Sequence, residues 1–220
     1  MLEIDGVNIL WNGHDGYRLN ADDKTIIYID PFKLIQKYND KKDADLILIS
    51  HNHFDHLSLE DINKIINSNT KVICAPECVQ TLRENYSKNE IIPLNPNENT
   101  EIKNIKIEGV RAYNTNKNFH PKEDNKIGFI ININDLKIYH TGDTDIIPEM
   151  GTIDTDIAFV PVSGTYVMTA EEAARATNEF IKPKKIAIPM HYNSIVGSIK
   201  DAETFCNMVN VCKTAVLEIE

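Results

Sequence analysis

The chain has 220 residues, 42% hydrophobic and 25% charged, with 23 Lys and Arg against 33 Asp and Glu for a formal net charge of −10. That length fits one domain, 1–220, able to bury about 70% of its unfolded surface, and that charge sets the surface against nucleic-acid phosphates and anionic lipid headgroups. No apolar run approaches the ~20 residues of a membrane span, no basic-then-apolar leader opens the sequence, and Cys74, Cys78, Cys206 and Cys212 form neither a CxxC pair nor a dense framework, so a cytoplasmic protein with reduced thiols is expected.

Val7 to Trp11 and Thr25 to Tyr28 read as strands, with the turn formers Asn12-Gly13-His14-Asp15-Gly16 between them. A hairpin-like start is expected. The run Lys24 to Ile29 meets Asp30-Pro31, where proline stops ladder pairing and leaves Asp30 at the strand's end as a support for a site. Leu46 to Ile49 is almost wholly apolar, as befits a strand covered on both faces, and it empties into Ser50-His51-Asn52-His53-Phe54-Asp55-His56. Ser58 is the predicted cap of a helix that places Ile62, Ile65 and Ile66 on one face.

A strand from Val72 to Ala75 and a helix from Glu77 to Glu84 follow, Pro76 standing at their junction. Asn95 to Thr100 reads as a polar connector, after which β patterns dominate. Ile105 and Ile107 alternate with charged residues, and Gly128 to Ile133 and Leu136 to Tyr139 flank Asn134-Asp135, a pair suited to a two-residue hairpin turn. The last third alternates: a strand from Ile157 to Val162, a helix from about Glu171 to Ile181 opened by the capping box Thr169-Ala170-Glu171-Glu172, a strand from Lys185 to Pro189, a helix near Ala202 to Val209, and a strand from Ala215 to Ile219. Two packed sheets with helices outside satisfy both the alternating and the fully buried strands, so the expected fold is an α/β four-layer αββα sandwich.

The chemistry concentrates after Ile49. Three of the seven histidines and one aspartate fall within six residues, a density that chance does not explain and that a strand-end loop makes accessible. His51 and His53, two apart on an extended segment, leave the same side and reach one cation; Asp55 and His56 face a neighbouring one. Two further candidates end strands: Asp143 in His140-Thr141-Gly142-Asp143-Thr144-Asp145 and His191 in Pro189-Met190-His191-Tyr192-Asn193. Ser163-Gly164-Thr165 is not a GxSxG elbow and reads as a turn. Tyr166, Met168 and Tyr192 either shape a pocket or simply pack.

SHNHFDH resembles the HxHxDH signature of the metallo-β-lactamase superfamily, and TGDTD and PMHYN look like its later aspartate and histidine motifs. The resemblance runs in order from Gly13-His14 to His191 and is closest to the subgroup with L-ascorbate 6-phosphate lactonases, N-acyl-phosphatidylethanolamine phospholipase D and small metal-dependent hydrolases. It implies that His51 and His53 hold a first divalent ion, that Asp55, His56 and His191 hold a second, that Asp143 bridges them, and that Asp30 orients ligands from behind. The family usually supplies another first-metal histidine where this chain has Asn114, in Arg111-Ala112-Tyr113-Asn114. His120 lies six residues on, and since six extended residues reach up to about 20 Å, a loop that folds back can bring it to that place.

Two cations sharing a water make hydroxide available at neutral pH and polarise the bond it attacks. The expected activity is therefore metal-dependent hydrolysis, by a metal-bound hydroxide, of a small ester, lactone, amide or phosphoester. Asp55 and His120 are the expected catalytic residues, Asp55 orienting the hydroxide and His120 or His14 meeting the developing oxyanion. His14 otherwise reads as a hydrogen-bonded strand-end residue, and His140 as a buttress of the Asp143 loop. Two ions are expected, zinc first, with manganese or iron as alternatives. A small-molecule substrate is expected, with no nucleic acid or membrane, and a homo-oligomer stays open. An iron-dependent, dioxygenase-like oxidoreductase on the same scaffold and a non-catalytic metal-binding protein are the alternatives.

Overall fold

A computed structural model describes residues 1–21 and 24–220. They form two compact units, one of residues 1–94 with 217–220 and one of residues 95–216. The first is built from β1 (Leu2–Ile4), β2 (Val7–Gly13), β3 (Gly16–Asn20), β4 (Ile26–Ile29), β5 (Leu46–Ile49), α1 (Leu59–Ile65), β6 (Lys71–Cys74), α2 (Val79–Asn85) and β7 (Glu90–Pro93). Its strands are hydrogen-bonded in sequence order, antiparallel from β1 to β4 and parallel from β4 to β7.

The hairpin at the start is real but has a different second strand. β2 pairs with Gly16–Asn20, and the expected partner becomes β4, one strand further over. In β3 the buried Tyr17 and Leu19 alternate with the half-buried Arg18 and Asn20, a period-2 signal hidden by its closeness to the turn. All four residues of β5 are buried, as its composition requires. At α1, the Ser58 hydroxyl accepts the Asp61 amide at 3.3 Å, while the Asp61 carboxylate accepts the amides of Lys33 and Leu34 at 2.8 and 2.9 Å. The cap thereby also anchors the chain just past Asp30. α2 starts two residues later than expected, after a tight turn at Pro76–Cys78.

The second unit comprises β8 (Asn99–Ile102), β9 (Ile105–Arg111), β10 (Ile127–Ile133), β11 (Leu136–His140), β12 (Ile157–Pro161), α3 (Ala170–Ala176), β13 (Ile186–Met190), α4 (Ile199–Met208) and β14 (Lys213–Thr214). Its order is β14-β13-β12-β11-β10-β9-β8, antiparallel from β8 to β11 and parallel from β11 to β14. Asn134 and Asp135 both have positive φ, 49° and 68°, the backbone a type I′ turn demands. The capping box at Thr169 and Glu172 is present.

Three expectations change. The polar stretch at 99–102 is an edge strand and not a connector, since an edge tolerates polar side chains on its outer face. The helix at 171–181 remains α-helical only to Ala176, then widens into one π turn that ends where Lys182 turns left-handed. Ala215–Ile219 is not a strand: pairing with β13 ends at Thr214, and the chain leaves this unit so that Ile219 bridges Trp11 and the Glu220 amide donates to the Trp11 carbonyl at 2.9 Å.

Both units are thus mixed sheets flanked by helices, the α/β class expected. None of the four cysteines is in a disulfide, and burial pushes the Cys74 thiol up to about 12, which keeps it protonated. Among the described residues no helix is long and apolar enough to cross a membrane.

Candidate metal centre

In the first unit the supporting carboxylate comes before the candidate ligands. Asp30, fully buried at the end of β4, accepts the Ser50 amide at 2.8 Å, the Ser50 hydroxyl, and the Nδ1–H of His56 at 2.8 Å. Because the Ser50 hydroxyl donates to Asp30, its oxygen is left to accept, and His51 Nδ1 lies 3.0 Å from it. This network assigns the proton of both rings to Nδ1 and turns each Nε2 lone pair away from the support, the tautomer that metal-binding histidines adopt. His51 Nε2 lies 3.0 Å from His53 Nδ1; two ring nitrogens at that distance need a proton or a cation between them.

Asp55 is held by His14, whose Nε2 is 2.9 Å from Asp55 Oδ2. His14, Asp55 and His56 each present one donor atom within 4.8 Å of the others. His14 (φ 52°) and Asp30 (φ 39°) are both left-handed, a backbone state that costs a non-glycine residue of order 1 kcal/mol or more and concentrates at functional sites. Asp15, also fully buried, stands 3.8 Å from His56 Nδ1.

In the second unit the donors come from separate strand ends. Asp143 Oδ2 is the focus: His120 Nε2 and His191 Nε2 each lie 3.2 Å from it. Asp143 follows β11, His191 follows β13 in a left-handed conformation (φ 58°), and His120 belongs to the loop after β9. The Asp143 loop is held close by two glycines. A Cβ on Gly128 would lie 2.5 Å from the carbonyl oxygens of His140 and Thr141, and one on Gly142 (φ +63°) 2.7 Å from that of Ile127. His140 is the buttress expected of it, its Nδ1 accepting the Gly142 amide at 3.2 Å.

The loop carrying His120 folds back as its spacing allows. The Asn114 amide donates to the His120 carbonyl at 2.8 Å, and Asn114 Oδ1 accepts the His120 amide at 3.0 Å and lies 3.2 Å from His120 Nδ1. Asp145 clamps the same loop by accepting the amides of Thr115 and Asn116 at 2.8 and 3.2 Å and pairing with Lys117 at 2.6 Å.

Residues 8–191 match the sequence profile of the Beta-lactamase superfamily domain, a span that takes in every donor described above. The chain belongs to this family. A relative from Thermoplasma acidophilum, named a metal-dependent hydrolase, is 33% identical over 99% of this chain and 98% of its own length. One of the same description from Pyrococcus horikoshii is 32% identical, over 92% of each chain. A solved structure from Parabacteroides distasonis, provisionally described as a metal-dependent hydrolase, superposes with a TM-score of 0.81 at 31% identity, covering 97% of this chain and 94% of that one.

The residues expected to hold metal fall in both units: His51, His53, Asp55 and His56 in the first, and His120, Asp143 and His191 in the second. Three partners were not anticipated. Asp15 follows His14 within the turn, Asp145 is the second aspartate of TGDTD, and Ser163, read as a turn residue, places its hydroxyl 2.8 Å from His191 Nδ1. Ser163 had a signal in its position just past a buried parallel strand, where the sheet presents ligand-binding residues. Met168 and Tyr192 are packing residues, 0% and 1% exposed. Burial, with a smaller contribution from the Cys206 thiol, pushes the Tyr192 phenol well above its ordinary range, so it stays neutral.

Proposed function

We propose that the chain is a metal-dependent hydrolase of a small ester, lactone, amide or phosphoester. The observation that carries this reading is Asp143: two imidazole nitrogens approach one carboxylate oxygen at 3.2 Å, a separation that suits nitrogen and oxygen ligands of one divalent ion. The donor chemistry, imidazole with carboxylate and no thiolate, suits zinc first, then manganese or iron. His51, His53, Asp55 and His56 in the first unit and His120, Asp143 and His191 in the second are the residues that would hold the divalent ions. Divalent ions held there would lower the pKa of a water ligand toward neutrality and polarise the oxygen of the bond under attack.

The rest is done by the chain's own residues. His14 donates from Nε2 to Asp55 Oδ2 and so fixes the carboxylate that orients the attacking water and takes up a proton. The Asp30–Ser50 pair locks the rotation of His51 and His56. Ser163 does the same for His191, and Asn114 Oδ1, 3.2 Å from His120 Nδ1, does so for His120. A net charge of −10 disfavours polyanionic substrates, so a small molecule fits best.

The test is metal analysis of apo protein reloaded in turn with zinc, manganese and ferrous iron, followed by a screen of lactones, phosphodiesters, aryl esters and acylamides. Two ions per chain and hydrolysis of one class are expected. Absence of metal uptake, or one iron with oxygen consumption and no hydrolysis, would overturn the proposal.

A further inference from the structure

We infer that Asn114 is a positioning residue: it holds His120 in the tautomer that offers Nε2 to a cation, and it does not itself serve as a ligand. The inference rests on the hydrolase reading above. It begins with the orientation of the Asn114 amide, which two backbone groups determine. Its Nδ2 donates to the Tyr166 carbonyl at 3.0 Å, and its Oδ1 accepts the His120 amide at 3.0 Å. A carbonyl only accepts and an amide N–H only donates, so the reverse orientation would set two mismatched pairs in a site where Asn114 is 8% exposed.

With Oδ1 so assigned, its 3.2 Å approach to His120 Nδ1 is a hydrogen bond only if Nδ1 carries the proton. A neutral imidazole then has its lone pair on Nε2, 3.2 Å from Asp143 Oδ2, an approach of two acceptors that a cation held by both atoms would relieve. Oδ1 has two lone pairs, directed to the amide and the ring N–H of His120, so neither remains for a metal. Asn114 therefore stands where the family usually has a ligand, and it instead orients the ligand that arrives six residues later. This is the same task that the Asp30–Ser50 pair performs for His51 and His56, done here by a neutral amide.

The experiment uses the full-length apo protein, selectively ¹⁵N-labelled at histidine, at mildly alkaline pH, with His120→Gln to assign the resonance. The wild type is expected to show the Nδ1–H tautomer for His120, Asn114→Asp to retain it through its remaining acceptor, and Asn114→Ala to lose it. Zinc affinity, measured by competition with a chromogenic chelator, should fall about 10–100-fold in Asn114→Ala and much less in Asn114→Asp. An Nε2–H tautomer in the wild type overturns the inference without any variant having to fold, and so does Asn114→Ala with wild-type tautomer and zinc affinity. Wild-type protein with the expected tautomer but no zinc binding would sink the hydrolase reading while upholding the role of Asn114 toward His120.

Discussion

The two sheets share a plan and use it differently. Each runs antiparallel through four strands and parallel through the remainder, and each presents donors where strands end. In the first unit His51, His53, Asp55 and His56 leave one loop after β5, supported from below by one carboxylate. In the second, His120, Asp143 and His191 come from the ends of β9, β11 and β13, each with its own support: Asn114, the glycine-lined loop, and Ser163. A contiguous loop places its donors largely through local backbone, whereas a distributed set depends on the sheet register and on every connection. The set of donors in the second unit should therefore be the more easily broken.

The largest effect is expected at Asp143, because two imidazoles converge on one of its oxygens. Partners of metal ligands cost about 10–100-fold in affinity when removed, so Asp143→Ala should exceed about 100-fold and His53→Ala, which leaves His51 in place, should cost less. Metal per chain after dialysis measures both. Full metal content in Asp143→Ala would remove it from the site, and a greater loss in His53→Ala would reverse the comparison.

What was legible in the sequence follows the same divide. SHNHFDH announces itself because its donors are adjacent in the chain, and the apolar run before it fixes the strand that delivers them. Asp143 and His191 stand out through the strands preceding them together with the family resemblance. Asp15, Asp145 and Ser163 escaped because each acts on a residue distant in sequence or turned by the fold: Ser163 reaches His191 across 28 positions, and Asp145 reaches back 28 to Lys117. The π turn after Ala176 and the early end of β14 likewise follow from tertiary packing, to which local propensity is blind. β3 was missed for the opposite reason, as its short alternation was absorbed into the neighbouring turn.

A smaller effect is expected at Asp30, the common support of the first unit. Asp30→Ala leaves the buried Ser50 amide and the His56 Nδ1–H without their acceptor, at about 1–3 kcal/mol for each stranded group. A loss of about 3 kcal/mol should lower Tm by roughly 6–12 °C for a chain of this size. Zinc affinity should fall about 10–100-fold without vanishing, since the loop still supplies four donors. Scanning calorimetry and chelator competition on the same sample separate the two effects. Unchanged Tm with abolished metal binding would make Asp30 a ligand and not a support.

The smallest effect tests whether the loop that carries His120 can be loosened alone. Asp145→Asn keeps an oxygen for the amides of Thr115 and Asn116 but gives up the charge that faces Lys117, whose side chain is 15% exposed against 4% for Asp145. A partly buried pair of this kind contributes about 1 kcal/mol, a loss that should appear locally before it appears in global stability. Amide hydrogen exchange at Thr115 and Asn116 should quicken while that at Ser50 and His56, in the other unit, stays unchanged. Equal acceleration in both loops would mean that the two halves do not differ in how they are held, and the contrast between contiguous and distributed donors would have no mechanical basis.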